Sequence, residues 1–207
     1  MSKRILKGLS SVVFAGMLLM SAAQAQEPRF EITPFFTQRA GGGFKDAAGD
    51  DVNLKGKSGF ATAINWAASE HGAQYELLFS RQSTNIDATS VTPMRVEYLQ
   101  LGGTTLLGDE DARVVPFASG GIGAARFTPG ITGLSQETRW AFSLGGGVRI
   151  PIVKHVRLRL EARGYLTWLN GNSSLFCDSS AATTCAIQAR GQTLFQYEAL
   201  GGVSFGF

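Results

Sequence analysis

From His155 to Asn170 the chain reads HVRLRLEARGYLTWLN, and its side chains alternate without a break. One set is Val156, Leu158, Leu160, Ala162, Gly164, Leu166 and Trp168. The other is Arg157, Arg159, Glu161, Arg163, Tyr165 and Thr167. Successive strand side chains point to opposite faces, so a period of two is a strand signal. Soluble strands run to about five or six residues, whereas a tilted strand needs about nine to eleven to cross a bilayer. The stretch therefore reads as a transmembrane strand, with lipid against the first set and a polar lumen against the second. A soluble barrel strand could alternate in the same way with its faces reversed, so the rest of the chain must decide.

The amino terminus has the layout of a secretory leader. Lys3, Arg4 and Lys7 give a basic start, Val12 to Met20 an apolar run, and Ala23-Gln24-Ala25 a small-residue cleavage pattern. The expected division is a signal peptide over 1–25 and a single domain over 26–207, with the mature chain beginning at Gln26. The charge balance follows from it. The full chain has 19 Lys+Arg and 16 Asp+Glu, and removing Lys3, Arg4 and Lys7 leaves 16 of each. The basic character belongs to the leader, and no footprint for nucleic acid remains.

Hydrophobic residues make up 44% of the sequence, spread in alternation rather than in blocks. Eight segments carry the pattern, over 29–39, 59–67, 73–81, 94–106, 114–128, 138–150, 155–170 and 191–207. On the fourth, Met94, Val96 and Tyr98 are expected outward and Arg95 and Glu97 inward, with a bulge near Gln100 where the alternation weakens. On the fifth, Val115, Phe117 and Phe127 are expected outward, opposite Arg126. Pro34 interrupts the first segment, where a closed barrel has no free edge to hide a missing donor, so a bulge or a strand boundary is expected there.

The connections alternate in length. Those from the 40s to 58 and over 82–92, 129–136 and 170–190 are long and polar, while those over 68–72, 107–112 and 151–154 are short. Bacterial membrane barrels have short periplasmic turns and longer outer loops, which places both chain ends on the periplasmic side. Phe127, Trp140 and Trp168 then fall at outer strand ends and Phe30, Trp66 and Phe207 at periplasmic ends, as two aromatic girdles.

With the leader, the strand glycines Gly102-Gly103, Gly120-Gly121, Gly145 to Gly147 and Gly201-Gly202, and the terminal strand YEALGGVSFGF, the chain resembles the small outer-membrane β-barrel proteins related to OmpA and OmpX. The resemblance implies an all-β fold, an eight-stranded antiparallel up-and-down transmembrane barrel in the outer membrane of a Gram-negative-type bacterium. It also implies that Tyr197, Val203, Phe205 and the terminal Phe207 form the signal read by the outer-membrane assembly machinery. It is nearly silent on activity.

The residues expected to face the lumen are Glu31, Glu76, Arg95, Glu97, Arg126, Arg139, Arg149, Arg157, Arg159, Glu161, Arg163 and Glu198. The interior of an eight-stranded barrel is just wide enough for its side chains to fill, so an ion-paired plug is expected rather than a pore. Residues i and i+2 on a strand lie about 6.5–7 Å apart, so Arg159 and Glu161 are expected to find cross-strand partners, Arg149 and Glu198 among them. Cys177 and Cys185 share the last long loop, and in an exported protein such a pair favours a disulfide.

No chemistry-bearing motif accompanies these features. His71 and His155 lack the His and Ser two residues apart that mark outer-membrane lipid deacylases. Asp46, Asp50, Asp51 and Asn53 do not follow the alternating calcium-loop spacing. No metal or cofactor is expected. The reading is a non-enzymatic, monomeric barrel with a structural or surface-contact role through its outer loops, its partners being outer-membrane lipid and lipopolysaccharide. A narrow passive channel of the OmpW type is the alternative, and a lipid-modifying enzyme ranks below both.

Overall fold

A computed structural model describes residues 30–45, 51–68, 72–87, 92–109, 112–130, 135–169, 174–177, 185–188 and 193–207. The leader expected over 1–25, His71, Asp46 and Asp50 lie outside them. The described chain forms twelve strands. Eight build the wall: β1 (Phe30–Gly41), β4 (Lys57–Ala67), β5 (Ala73–Asp87), β6 (Thr92–Leu106), β7 (Val115–Pro129), β8 (Glu137–Val153), β9 (Val156–Trp168) and β12 (Thr193–Gly206). Each pairs antiparallel with the next, and β12 returns to β1, closing an eight-stranded antiparallel barrel. The terminal residues complete the seam, with the Phe207 amide donating to the Phe30 carbonyl at 2.8 Å. Closure removes every free edge, which is what lets a sheet sit in lipid.

The remaining strands decorate the long-loop end. β2 (Gly43–Lys45) and β3 (Asp51–Leu54) form a hairpin, and β3 also pairs with the upper part of β5. β10 (Ser174–Cys177) and β11 (Cys185–Gln188) form a separate hairpin. The second long loop expected from sequence is mostly strand, because β5 runs on to Asp87 and pairs Ile86 with Thr92 of β6. Polar side chains concealed that extension, since strand pairing uses backbone groups that polar residues supply equally well.

Pro34 causes neither a bulge nor a boundary. Its register with β4 is continuous from Phe30↔Trp66 to Arg39↔Lys57, and the β1–β12 ladder merely lapses between Ile32↔Phe205 and Phe35↔Gly202. Nor is there a bulge at Gln100, since β6 keeps one register against β5 and one against β7. The shift in the β8–β9 pairing falls instead between Pro151 and Val153, beside the short turn.

That continuity corrects two face assignments. With no bulge, β6 has one parity throughout. Leu99 and Leu101 are exposed on the outside, so Arg95 and Glu97 are outside too; Gln100 is buried inside, so Met94, Val96 and Tyr98 are inside. On β7 the exposed Ile122 carries Arg126 outward and leaves Val115, Phe117 and Phe127 buried. Arg95, Glu97 and Arg126 are therefore not lumen residues, and Phe127 is not part of a girdle. The other five aromatics of the two expected girdles, Phe30, Trp66, Trp140, Trp168 and Phe207, lie on the outer face of the wall.

Candidate functional site in the barrel lumen

Inward-pointing side chains fill the barrel in layers. At the short-turn end Arg157 donates to Glu31 at 3.1 Å, and Thr33 and Ser204 share a hydrogen bond of 2.8 Å. Arg149 is buried beside them, donating to Gln74 at 2.9 Å and to Thr104 at 3.2 Å, with its guanidinium over the Phe117 ring.

Above this lies a closed quartet. Arg159 contacts Glu76 at 2.6 Å and Glu161 at 2.7 Å, and Arg163 contacts the same two carboxylates at 2.6 Å each. Asn65 accepts from Arg159 at 3.0 Å, and Ser119 donates to Glu161 at 2.7 Å. The quartet is neutral; Glu161 accepts from both Nε and Nη2 of each arginine and Glu76 from one Nη2 of each, a sharing that the several donors of Arg permit and Lys would not. Side-chain exposure is 2% or less at all four members. At that burial, removing one member leaves an uncompensated charge and costs about 3–5 kcal/mol.

Two glycines make room for it. Gly147 stands opposite Glu161 and Gly145 opposite Arg163 across the β8–β9 pair. A Cβ on Gly147 would come within 2.0 Å of the Leu160 carbonyl oxygen and 2.8 Å of the Glu161 Cα. Without side chains there, Arg159 and Arg163 fold along their own strand onto Glu161. The expectation of cross-strand partners fails in part for this reason: Glu161 bonds residues two positions away on β9, and neither Arg149 nor Glu198 is bonded to it.

Glu198 anchors the next layer. It contacts Arg39 at 3.0 Å and accepts from Ser80 at 2.8 and 3.0 Å and from the Tyr165 hydroxyl at 2.8 Å. The Arg39 guanidinium lies over both the Tyr98 ring and the Tyr165 ring, at 4.7 and 5.4 Å from their centres. Those rings stack at 4.2 Å. Arg39 was missed in the sequence because inward-facing Phe35 disguises the polar side of β1, although its parity matches Glu31, Thr33 and Thr37. Tyr98 continues upward, donating to Gln196 at 2.8 Å. Leu54, Met94, Val96, Phe127, Leu169 and Leu194 are buried as an apolar layer toward the long-loop end. Arg139 faces inward nearer that rim and contacts Glu137 at 2.7 Å.

These paired charges fill the lumen and tie β1, β5, β9 and β12 to one another. No group of three His, Cys, Asp or Glu residues among the described residues is placed to hold a metal ion. His155 sits in the short β8–β9 turn, away from the quartet.

The sequence matches the outer membrane protein beta-barrel domain over residues 10–182. The chain belongs to that family. Among solved structures it is similar to Neisserial surface protein A, with 12% identity, a TM-score of 0.56, and coverage of 88% of this chain and 100% of that one. It is also similar to the outer membrane protein OprG from Pseudomonas aeruginosa, with 11% identity, a TM-score of 0.57, and coverage of 89% of this chain and 98% of that one. At such identities the likeness shows the barrel fold alone. No curated protein matches the sequence. Membership of this family supports an outer-membrane location for the barrel.

Proposed function

We propose that the protein is a non-enzymatic outer-membrane barrel whose wall is a rigid, plugged scaffold for surface contacts made by its long-loop end. The observation that carries this reading is the lumen filling. The Arg159–Glu76–Arg163–Glu161 quartet crosses the barrel beneath the Arg39–Glu198 layer, and an apolar layer lies above both. Opening a path for solutes would require parting buried ion pairs at about 3–5 kcal/mol each. Eight strands leave no spare bore to bypass them.

The reading includes export through cleavage before Gln26, assembly through the alternating terminal strand ending in Phe205 and Phe207, and a Cys177–Cys185 disulfide in the last loop. It takes the barrel to be a monomer in contact with lipopolysaccharide. Planar-bilayer recording of the pure protein tests the plug, and no steady conductance of porin magnitude is expected. Reproducible conductance at that level would replace this reading with the narrow passive channel. Membrane fractionation with amino-terminal mass spectrometry tests the export step; recovery of the chain as a soluble periplasmic protein would end the outer-membrane reading.

A further inference from the structure

Among the described wall residues Arg81, Arg95 and Arg126 are arginines that face outward, and the plugged scaffold gives them no task. Arg81, Glu97 and Arg126 stand in one register row across β5, β6 and β7, and Arg95 occupies the next outward position of β6 toward the long loops. The outward positions closer to the short turns are apolar on all three strands, with Phe79 on β5, Leu99 and Leu101 on β6, and Ala124 and Ile122 on β7. The wall therefore changes from hydrocarbon-compatible to cationic at one level on three adjacent strands. An outward Arg is costly at the bilayer midplane and nearly neutral at the interface, so this row marks the headgroup level on that side of the barrel. The short turns lie at the opposite end, with Phe30 and Phe207 beside them, which makes this the outer leaflet.

The patch holds three guanidiniums and one carboxylate. Glu97 is spoken for only loosely, at 3.7 Å from Arg81. Arg126 is steadied by Gln136, to which both its Nε and its Nη2 donate. Arg95 is exposed and has no hydrogen-bond or ion-pair partner among the described residues. Beside it a cleft of about 190 Å³ sets Arg95 and Lys57, with Ser83 and Thr128, against the apolar Pro93 and Pro129. The far wall at the same end is different. There the outward positions of β8, β9 and β12 are the exposed Trp140, Trp168 and Phe195. The cationic surface is one-sided, so it is a site rather than a general property of the rim.

We propose that Arg81, Arg95 and Arg126 form a docking site for the phosphate groups of a phosphorylated glycolipid of the outer leaflet, a lipopolysaccharide. This rests on the reading of the chain as an outer-membrane barrel. Planar guanidinium forks match phosphate oxygens, and three of them at one level hold a headgroup while its acyl chains lie along Phe79, Leu99 and Ile122.

The test uses the full mature barrel folded in detergent, with its folded state checked by the heat-dependent gel shift. Native mass spectrometry measures binding of purified rough-type lipopolysaccharide, the same material dephosphorylated, and phosphatidylglycerol, each with and without inorganic phosphate. The intact glycolipid is expected to bind about tenfold or more tightly than either other lipid, with inorganic phosphate unable to displace it. Arg95→Ala, which breaks no contact within the wall, is expected to weaken that binding by about tenfold. Arg95→Ala/Arg126→Ala is expected to abolish the preference, and Arg95→Lys/Arg126→Lys to restore part of it. Equal binding of the dephosphorylated material overturns the site, as does an unchanged preference in the folded Arg95→Ala barrel. Equal binding of phosphatidylglycerol, or displacement by inorganic phosphate, overturns the glycolipid as its ligand. If the parent protein forms no heat-modifiable barrel, the underlying reading falls and the site with it.

Discussion

Arg159 and Glu161, two positions apart on β9, touch at 2.7 Å. Their Cα atoms are separated by roughly 6.5–7 Å on an extended strand, yet a guanidinium on a long stem can fold back over that distance when the neighbouring strand leaves space. Gly147 leaves that space. The consequence is that Glu161 is shared by two arginines on its own strand and depends on β5 only through Glu76, which bridges the same pair.

Glu161→Ala is therefore expected to destabilise the barrel by about 3–5 kcal/mol, the cost of leaving buried guanidiniums short of charge. Glu161→Gln keeps the shape and an acceptor oxygen and is expected to cost less. Urea unfolding in lipid vesicles, followed by the gel shift, makes the comparison. Two variants that unfold like the parent would show that Glu161 is not in a buried network.

The glycines offer a contrast. Gly147→Ala places a Cβ against the backbone of Leu160 and Glu161, neither of which can rotate away, and is expected to cost about 1–3 kcal/mol and reduce assembly yield. Gly120→Ala meets only the Ser143 carbonyl at 3.4 Å and a Leu144 methyl at 3.8 Å, and is expected to fall within about 0.5 kcal/mol of the parent. Refolding yield and midpoint for the two variants, measured side by side, check this. Equal tolerance would mean that the wall near Gly147 adjusts.

Much of the wall was legible because inward polar and outward apolar residues alternate cleanly along β9, and with only Leu78, Leu194 and Leu200 turned inward along β12 and the lower part of β5. The reading slipped where apolarity changes face along a strand. On β6 the outward side passes from Arg95 and Glu97 to Leu99 and Leu101 as the wall descends from headgroups to hydrocarbon. The inward side passes from Met94 and Val96 to Gln100 as the lumen changes from its apolar layer to its polar ones. Hydrophobicity alone assigns each half of such a strand to a different face, and continuous register is what settles it. The quartet's membership could be read from parity, but its pairing could not, because pairing depends on which neighbours lack side chains.

In the last loop, the β10–β11 register sets Cys177 directly opposite Cys185. A disulfide at that position is expected to resist alkylation until reductant is added, and the intact protein is expected to weigh two hydrogens less than the dithiol. Its contribution is local, on the order of 2–3 kcal/mol in the chain-entropy model. Reduction is expected to leave the barrel's urea midpoint unchanged while hastening proteolysis of the loop. Free thiols in protein isolated under oxidising conditions would count against the bond.

The stacked tyrosines give a graded test of the upper layer. Both hydroxyls are buried, but their acceptors differ in charge. Tyr165 donates to the Glu198 carboxylate at 2.8 Å, whereas Tyr98 donates to the neutral Gln196 at 2.8 Å and lies 3.1 Å from Thr167. Replacement by Phe keeps each ring, so the 4.2 Å stack and the Arg39 contact above it persist. What is lost is one hydrogen bond to a charged group in the first case and neutral ones in the second. Hydrogen bonds to charged groups contribute roughly 1.5–3 kcal/mol and neutral ones about 0.5–1.5. Tyr165→Phe is thus expected to destabilise the barrel more than Tyr98→Phe. The double variant is expected to depart from additivity by about 0.5 kcal/mol or more, because the stacked rings share the Arg39 guanidinium and belong to one network. Unfolding free energies of the three variants decide the matter. A reversed order would mean that Glu198 is satisfied by Arg39 and Ser80 alone and that the Tyr165 hydroxyl adds nothing to that layer.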